Sequence, residues 1–156
     1  MPKLDLASVP VRTGTIYPAP YDAEVVGRSS LRLAEAGGLT QFGVNIVILA
    51  PGAKSSMRHW HLHEDEFVIM LSGACTLMQD AGPVLMQPGD CAAFPAGLPD
   101  GHCLVNHTEA EARFLVVGTS APAETATYSD IDLQVHQGGG VNRFAYKDGT
   151  DWTGPR

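Results

Sequence analysis

Basic residues are scarce in this chain of 156 residues: ten Lys and Arg stand against 17 Asp and Glu, which gives a formal charge of -7. Proteins that bind nucleic acids concentrate Lys and Arg in order to displace counterions from phosphates. The acidic balance therefore predicts no nucleic-acid partner. It does not exclude a small anionic substrate, because a bound metal can reverse the field inside a pocket.

Long apolar runs are also missing. No apolar stretch approaches the roughly 18 residues of a membrane-spanning helix, and the N-terminal segment MPKLDLASVPVRTG lacks the apolar core of a secretory signal. We therefore expect no membrane association, and we predict a cytoplasmic location.

Cysteines number only three, and no two of them form a C-x-x-C pair. This spacing argues against a zinc knuckle and against a disulfide framework. The favoured interpretation of Cys75, Cys91 and Cys103 is small buried side chains. A disulfide between Cys91 and Cys103 stays open at this point.

Short apolar segments separated by Gly, Pro and Asp fill residues 40–119, with no sustained helical period. This rhythm predicts an all-β antiparallel sandwich or barrel. The predicted strands are FGVNIVILA, SSMRHWH, EFVIML, ACTLMQ, PVLMQ, DCAAFP, HCLVN and RFLVVGT. Since the length fits one domain, we expect this core to carry an N-terminal extension, 1–39, and a C-terminal extension, 120–156.

The extensions are less clearly patterned. Residues 31–39 fit either a strand or a short helix, SAPAETATYSD resembles a loop or linker, and IDLQVHQ and VNRFAYK fit strands. In EFVIML, Phe67, Ile69 and Leu71 face one way while Val68 and Met70 face the other, so both faces need cover. The extensions or a second copy of the chain could provide it, and we expect a homodimer.

Three of the six histidines stand at alternate positions in RHWHLHEDEF. Side chains alternate across a strand, so His59, His61 and His63 share one face if the segment is extended. A turn then returns the chain, and Glu66 reaches the imidazoles; Glu64 or Asp65 is the alternative acid. Two imidazoles and a carboxylate suit a divalent transition metal such as iron, manganese, nickel, cobalt or zinc.

A fourth ligand is expected from PGDCAAFPAGLPDGHCLVN, and here the sequence resembles the cupin superfamily. The first cupin motif, with its His-x-His pair and glutamate, matches GAKSSMRHWHLHEDEFVIMLSG from Gly52 to Gly73, apart from one extra residue in the first gap. The second motif matches, with a gap before the histidine that is longer by two residues, at Gly89, Pro95, Gly97, His102 and Asn106.

The resemblance implies a single small stand-alone cupin domain over residues 1–156, in which a double-stranded β-helix or jelly-roll barrel encloses a metal. It implies that the metal is held by His59, His61, Glu66 and His102. Outside this set, His63 is a candidate proton shuttle, a replacement ligand or a solvent-exposed residue. Gln41 and Asn45 are candidates for substrate binding if strand alternation turns both toward the barrel interior, and a plain cross-strand contact is the equal alternative.

Four protein ligands leave positions open on an ion that accepts six, so catalysis on a small-molecule substrate is expected. Three function classes follow: an oxygenase or oxidase, an isomerase, epimerase or lyase, and a non-catalytic binding module. We rank oxygenase chemistry slightly first. Sugar-phosphate isomerisation ranks lower because a cationic phosphate grip is expected only from Lys54, Arg58, Arg113 and a few peripheral basic residues, and Arg58 should face away from the interior.

Overall fold

A computed structural model describes residues 3–155 of the chain. Antiparallel strands dominate it, as the spacing of apolar segments and turns predicts. The strands are β1 Val11–Thr13, β2 Arg28–Arg32, β3 Phe42–Leu49, β4 His59–His61, β5 Glu66–Ser72, β6 Cys75–Met78, β7 Val84–Met86, β8 Cys91–Phe94, β9 Cys103–Val105, β10 Ala112–Thr119, β11 Ala123–Tyr128, β12 Leu133–Gly138 and β13 Val141–Ala145. The helices are α1, Leu33–Gly37, and 3₁₀ turns at Leu6–Ser8 and Tyr21–Val25.

The strands form three sheets. One has six strands in the order β1-β2-β3-β10-β5-β8, one has four in the order β13-β12-β11-β4, and one has three in the order β7-β6-β9. Buried side chains of the six-stranded sheet pack against those of the three-stranded sheet in one core that includes Val68, Phe114, Leu77 and Leu104. The result is the predicted all-β jelly roll.

The extensions are part of the sheets. β2 pairs antiparallel with β3 and β1 pairs with β2, so both extend the six-stranded sheet, and β11 pairs with β4. The prediction of a loop at SAPAETATYSD is therefore wrong for Ala123–Tyr128, which form β11. For residues 31–39 the sequence allowed either a strand or a short helix. The structure has both, since β2 ends at Arg32 and α1 follows directly.

A turn glycine of the first cupin motif shows why the motif needs that residue. Gly73 has φ +70, and a Cβ added there would lie 2.6 Å from the carbonyl oxygen of Glu111. Any other residue would be strained by this backbone and would also clash with it.

All three cysteines are free, so the open alternative of a Cys91–Cys103 disulfide is not realised. Cys75 and Cys103 are buried as predicted, but Cys91 is exposed, because β8 forms the edge of the six-stranded sheet. In the described part of the chain, no helix is long and apolar enough to cross a membrane.

One half of the outer face of the six-stranded sheet is covered. Val9 and Leu33, from the N-terminal extension, pack with Leu31, Ile46 and Ile48. The other half is not: Phe42, Phe67 and Leu71 are 41%, 41% and 45% exposed. The extensions thus supply part of the cover that the two-sided apolar pattern requires.

We still expect a homodimer that buries this uncovered half, because an apolar patch on a sheet is stabilised by burial against a second copy. Light scattering at micromolar concentration should give the mass of a dimer, and Phe67→Glu should shift the mass toward that of a monomer. Val141→Glu is the matched control, since Val141 is 65% exposed on a different sheet. A monomeric wild-type protein would remove the expectation.

Candidate metal site

Four residues predicted as metal ligands lie together inside the fold. His59 and His61 are on β4, Glu66 begins β5, and His102 immediately precedes β9. His59 Nε2 is 3.1 Å from His61 Nε2, while Glu66 Oε2 is 3.8 Å from His61 Nε2 and Glu66 Oε1 is 3.4 Å from His102 Nε2. Ligand atoms of His59, His61 and Glu66 all lie within 4.8 Å of one another.

Backbone pairing of β4 positions the three imidazoles. On one side β4 pairs with β11, and on the other His59 and His102 form an isolated antiparallel bridge. The His102 amide donates to the His59 carbonyl at 2.9 Å, and the His59 amide donates to the His102 carbonyl at 3.2 Å. Gly101 permits this approach, because a Cβ there would lie 1.8 Å from Ser129 Oγ.

Backbone carbonyl oxygens lie beside Nδ1 of two of the imidazoles, those of His59 and His102. His59 Nδ1 lies 2.9 Å from the carbonyl oxygen of Met57, and His102 Nδ1 lies 3.5 Å from that of Asp100. A carbonyl oxygen only accepts, so Nδ1 of His59 carries the proton and its Nε2 lone pair is directed at the cluster. Phe94 stacks on the His102 ring with centroids 3.5 Å apart and an interplanar angle of 5°, which fixes the orientation of that ring.

Burial keeps the His59 imidazole neutral. The pKa of His59 is lowered to about 4, first by burial and then by the neighbouring His61 and His102. Burial alone would raise the pKa of Glu66, but His102, His59 and His61 lower it below its usual value, so Glu66 is a carboxylate at neutral pH.

The donor set fits a divalent transition metal. His102 Nε2 is buried and has no hydrogen-bond partner within residues 3–155, an arrangement that is costly unless a cation or ligand meets the lone pair. Neutral imidazoles beside an ionised carboxylate are the ligands such ions prefer.

The two other acids of the EDE run have different partners. Asp65 Oδ1 accepts a hydrogen bond from the Ala96 amide at 2.8 Å. Glu64 Oε1 accepts from the Ala121 amide at 2.8 Å, and burial raises the pKa of Glu64. Glu64, His61 and Glu124 form a second possible metal-binding group. One potential ligand atom from each residue lies within 4.8 Å of the other two. Of the three acids, Glu66 is the one near both His61 and His102.

Sequence reasoning missed Glu124, because it lies in the segment predicted as a loop. Its carboxylate is buried, with the side chain 2% exposed, and its Oε1 lies 3.8 Å from His61 Nδ1. It accepts hydrogen bonds from the amides of Leu62 at 2.7 Å, His63 at 2.9 Å and Thr125 at 2.8 Å. The alternation of threonines with Ala126 and Tyr128 was the available signal for a strand here.

A cavity of ≈ 570 Å³ adjoins the four predicted ligands. Asn45 lines it, as predicted, but Gln41 does not: Gln41 precedes β3 and lines a surface depression with Phe42 and Phe67. His63 is absent from the residues that line the cavity; its side chain is 53% exposed and its Nδ1 is 4.0 Å from Glu124 Oε2. This placement does not support a proton-shuttle role for His63.

The cavity also contains basic residues that sequence reasoning overlooked. Arg28 and Arg32 on β2 line it, and so do Thr13, Thr15 and Tyr17 of the N-terminal extension. The argument that only Lys54, Arg58, Arg113 and peripheral basic residues could grip an anion is therefore wrong. Arg58 does face away, since its guanidinium binds Asp80 at 2.9 Å and Asp130 at 2.8 Å.

Comparisons with known proteins agree with this geometry. The family profile for the cupin domain, Cupin_2, matches residues 45–118. A crystal structure of a sugar phosphate isomerase from a cupin superfamily, from Silicibacter pomeroyi DSS-3, is 57% identical with a TM-score of 0.95, covering 97% of this chain and 97% of that chain. The chain therefore belongs to the cupin superfamily.

More distant structures share the fold. A protein of Acidithiobacillus ferrooxidans, provisionally assigned as a sugar phosphate isomerase, is 25% identical with a TM-score of 0.74, covering 81% of this chain and 80% of that chain. The polyketide cyclase RemF of Streptomyces resistomycificus is 22% identical with a TM-score of 0.61, covering 78% of this chain and 80% of that chain. No curated protein matches the chain significantly.

Glu124→Gln should weaken metal binding by about tenfold or more. The buried carboxylate lies 3.8 Å from Nδ1 of His61, too far for a hydrogen bond, but its charge attracts that N–H and so favours the ring orientation with Nε2 toward the site. Competition with a chromophoric chelator measures the affinity directly. Glu109→Gln, at an exposed position, is the matched control. An affinity within twofold of wild type in folded Glu124→Gln would contradict the orienting role.

The metal-free protein should lose stability as the pH falls from about 6.5 to about 4. In that window unfolded His59 binds a proton that folded His59 does not, so the free energy of unfolding decreases, by about 3 kcal/mol in all for a shift of this size. Urea unfolding between pH 7 and pH 4.5 measures the slope. His59→Asn should reduce the pH dependence of the free energy of unfolding, and the control His107→Asn should leave it unchanged. Equal slopes in the wild type and His59→Asn would show that His59 is not its cause.

Proposed function

We propose that this protein is a metal-dependent isomerase acting on small hydroxycarbonyl compounds of the sugar class. His59, His61, Glu66 and His102 would hold one divalent transition metal, with iron, manganese, nickel, cobalt and zinc as the candidates. The observation that carries the proposal is the cavity beside these residues, whose wall is rich in hydrogen-bonding groups. They are Thr13, Thr15, Tyr17, Arg28, Arg32, Asn45, Ser55, Ser56, Tyr128 and Gln137.

A polar wall of this kind suits a substrate with several hydroxyl groups. Its volume lies within the range of small-molecule sites, and hydroxyls and amides can each donate and accept hydrogen bonds with a sugar. Asn45 lies opposite Arg32 in the β2–β3 pairing, so the two side chains share the cavity face of the sheet. The relative from Silicibacter pomeroyi, described as a sugar phosphate isomerase, supports the same reaction class.

Isomerisation of a hydroxycarbonyl compound moves a proton between adjacent carbons and needs no external oxidant. When bound, a divalent metal supplies Lewis-acid polarisation of a carbonyl oxygen. Glu66 is the only carboxylate among the described residues that line the cavity, and its lowered pKa keeps it ionised. We therefore assign two tasks to Glu66: one carboxylate oxygen would hold the metal, and the other accepts the proton from one carbon and returns it to the next.

The oxygenase chemistry that the sequence favoured slightly has no specific support from the cavity. That ranking depended partly on the expected shortage of basic residues, which Arg28 and Arg32 remove.

The test is a panel of aldoses, ketoses and their phosphates incubated with metal-loaded protein in D2O. Proton NMR should show interconversion of at least one aldose–ketose pair, with deuterium incorporated at the carbon that loses its proton. Glu66→Gln should reduce this exchange by at least about a hundredfold, which is the scale of general-base catalysis.

Parallel measurements separate the alternatives. His61→Ala should lose both the metal and the activity, whereas Glu109→Gln should keep both. Oxygen uptake by iron-loaded protein with diols, diketones or catechols, together with silence on the sugar panel, would replace isomerase chemistry with oxygenase chemistry. If neither assay shows activity, the non-catalytic binding module is the function class that remains.

A further inference from the structure

Two guanidinium groups share the cavity with the predicted metal ligands. Arg28 and Arg32 stand two positions either side of Ser30 on β2, and β2 pairs antiparallel with β3, so that Arg28 lies opposite Leu49 and Arg32 opposite Asn45. Directly opposed residues in an antiparallel pair project from the same face of the sheet. Leu49 is fully buried and Asn45 lines the cavity, so this is the inner face.

Arg28 has no partner for its charge. Within residues 3–155 its guanidinium forms no ion pair, and its Nε is buried without a hydrogen-bond acceptor. Arg58, by contrast, binds the carboxylates of Asp80 and Asp130. A half-buried guanidinium with no carboxylate partner keeps its donors free to bind an anion.

The groups that act on Arg28 pull in both directions. Burial is the main cause that lowers the pKa of Arg28 and the like charge of Arg32 lowers it further, while Tyr17 and Glu66 raise it. Glu66 is the one carboxylate in the described lining, and it lies among the three imidazoles. Arg32 has one weak, exposed contact, with its Nη1 3.7 Å from Glu35 Oε2. The β2 wall therefore presents positive charge inside a protein whose formal charge is -7.

We propose that Arg28, with Arg32 toward the solvent, forms an anion subsite that binds the phosphoryl group of the substrate. The guanidinium fork of Arg28 donates two parallel hydrogen bonds to phosphate oxygens, and the hydroxyl of Thr15, which also lines the cavity, is a further donor. Arg32, whose side chain is 60% exposed, attracts the anion at the mouth. This inference rests on the proposed isomerase function and narrows its substrate class to phosphorylated sugars.

The first experiment measures binding of inorganic phosphate to metal-free protein, so that a metal cannot contribute. Calorimetry should show saturable binding that Arg28→Met weakens at least tenfold, Arg28→Lys by less and Arg32→Met by less. Arg113→Met is the matched control, because Arg113 is an exposed arginine on β10 of the same sheet that pairs with Glu111, and it should bind phosphate as the wild type does. Wild-type affinity in folded Arg28→Met would overturn the subsite.

A second measurement protects the test against a variant that fails to fold. In ¹⁵N-labelled wild-type protein, the Nε–H signal of Arg28 should shift on addition of phosphate, while that of Arg113 should stay in place. An unmoved Arg28 signal at saturating phosphate would refute the assignment.

Catalysis then separates this inference from the function on which it rests. Phosphate binding that depends on Arg28, without isomerisation of any sugar, would remove the isomerase proposal and keep the subsite. Equal turnover of free and phosphorylated sugars, without phosphate binding, would keep the isomerase and remove the subsite. If the protein binds phosphate through Arg28 and also isomerises sugars, Arg28→Met should raise KM for the phosphorylated substrate far more than for the free sugar.

Discussion

β4 has one antiparallel contact on each side, and these two contacts determine where the four candidate metal ligands lie. β4 is only three residues long, yet β11 pairs with one of its edges and the bridge between His59 and His102 closes the other. Strand alternation then turns His59 and His61 toward the interior, and the bridge brings His102 beside them. Glu66 enters from β5 because the turn after β4 is short. The ligand cluster is thus a product of backbone pairing, which the side chains then complete.

The sequence predicted this part of the molecule well, because each step has a local signal. The period of two in RHWHLH, the turn glycines and the second histidine before a strand all lie within the matched cupin segment 45–118. What the sequence did not predict depends on distant pairing. Glu124 reaches the amides of Leu62 and His63 across 62 and 61 positions of sequence, and SAPAETATYSD carries no apolar run that would mark it as a strand. Arg28 was overlooked since its direction depends on the register between β2 and β3.

The placement of charge explains how an acidic protein can suit an anionic ligand. The carboxylates in contact with basic side chains lie mainly on the surface, where Arg58, Arg113 and Arg143 find acidic partners. Arg28 instead faces the cavity together with the imidazoles, and Arg32 lines the same cavity from its solvent-exposed side. Field lines are focused in a cleft of low dielectric, so the local sign of the potential can oppose that of the whole molecule. Net charge therefore predicted the behaviour of the surface and not that of the cavity.

The long reach of Glu124 has a consequence for how the protein is made. A nascent chain emerges from its N-terminus, and a contact between residues far apart in sequence forms only after both have been synthesised. When translation has passed residue 118, all four clustered side chains are present, but the strand that flanks β4 and carries the buried carboxylate has not been added. The β4–β11 pairing and the hydrogen bonds to Glu124 can therefore form only once residues 123–128 have been synthesised.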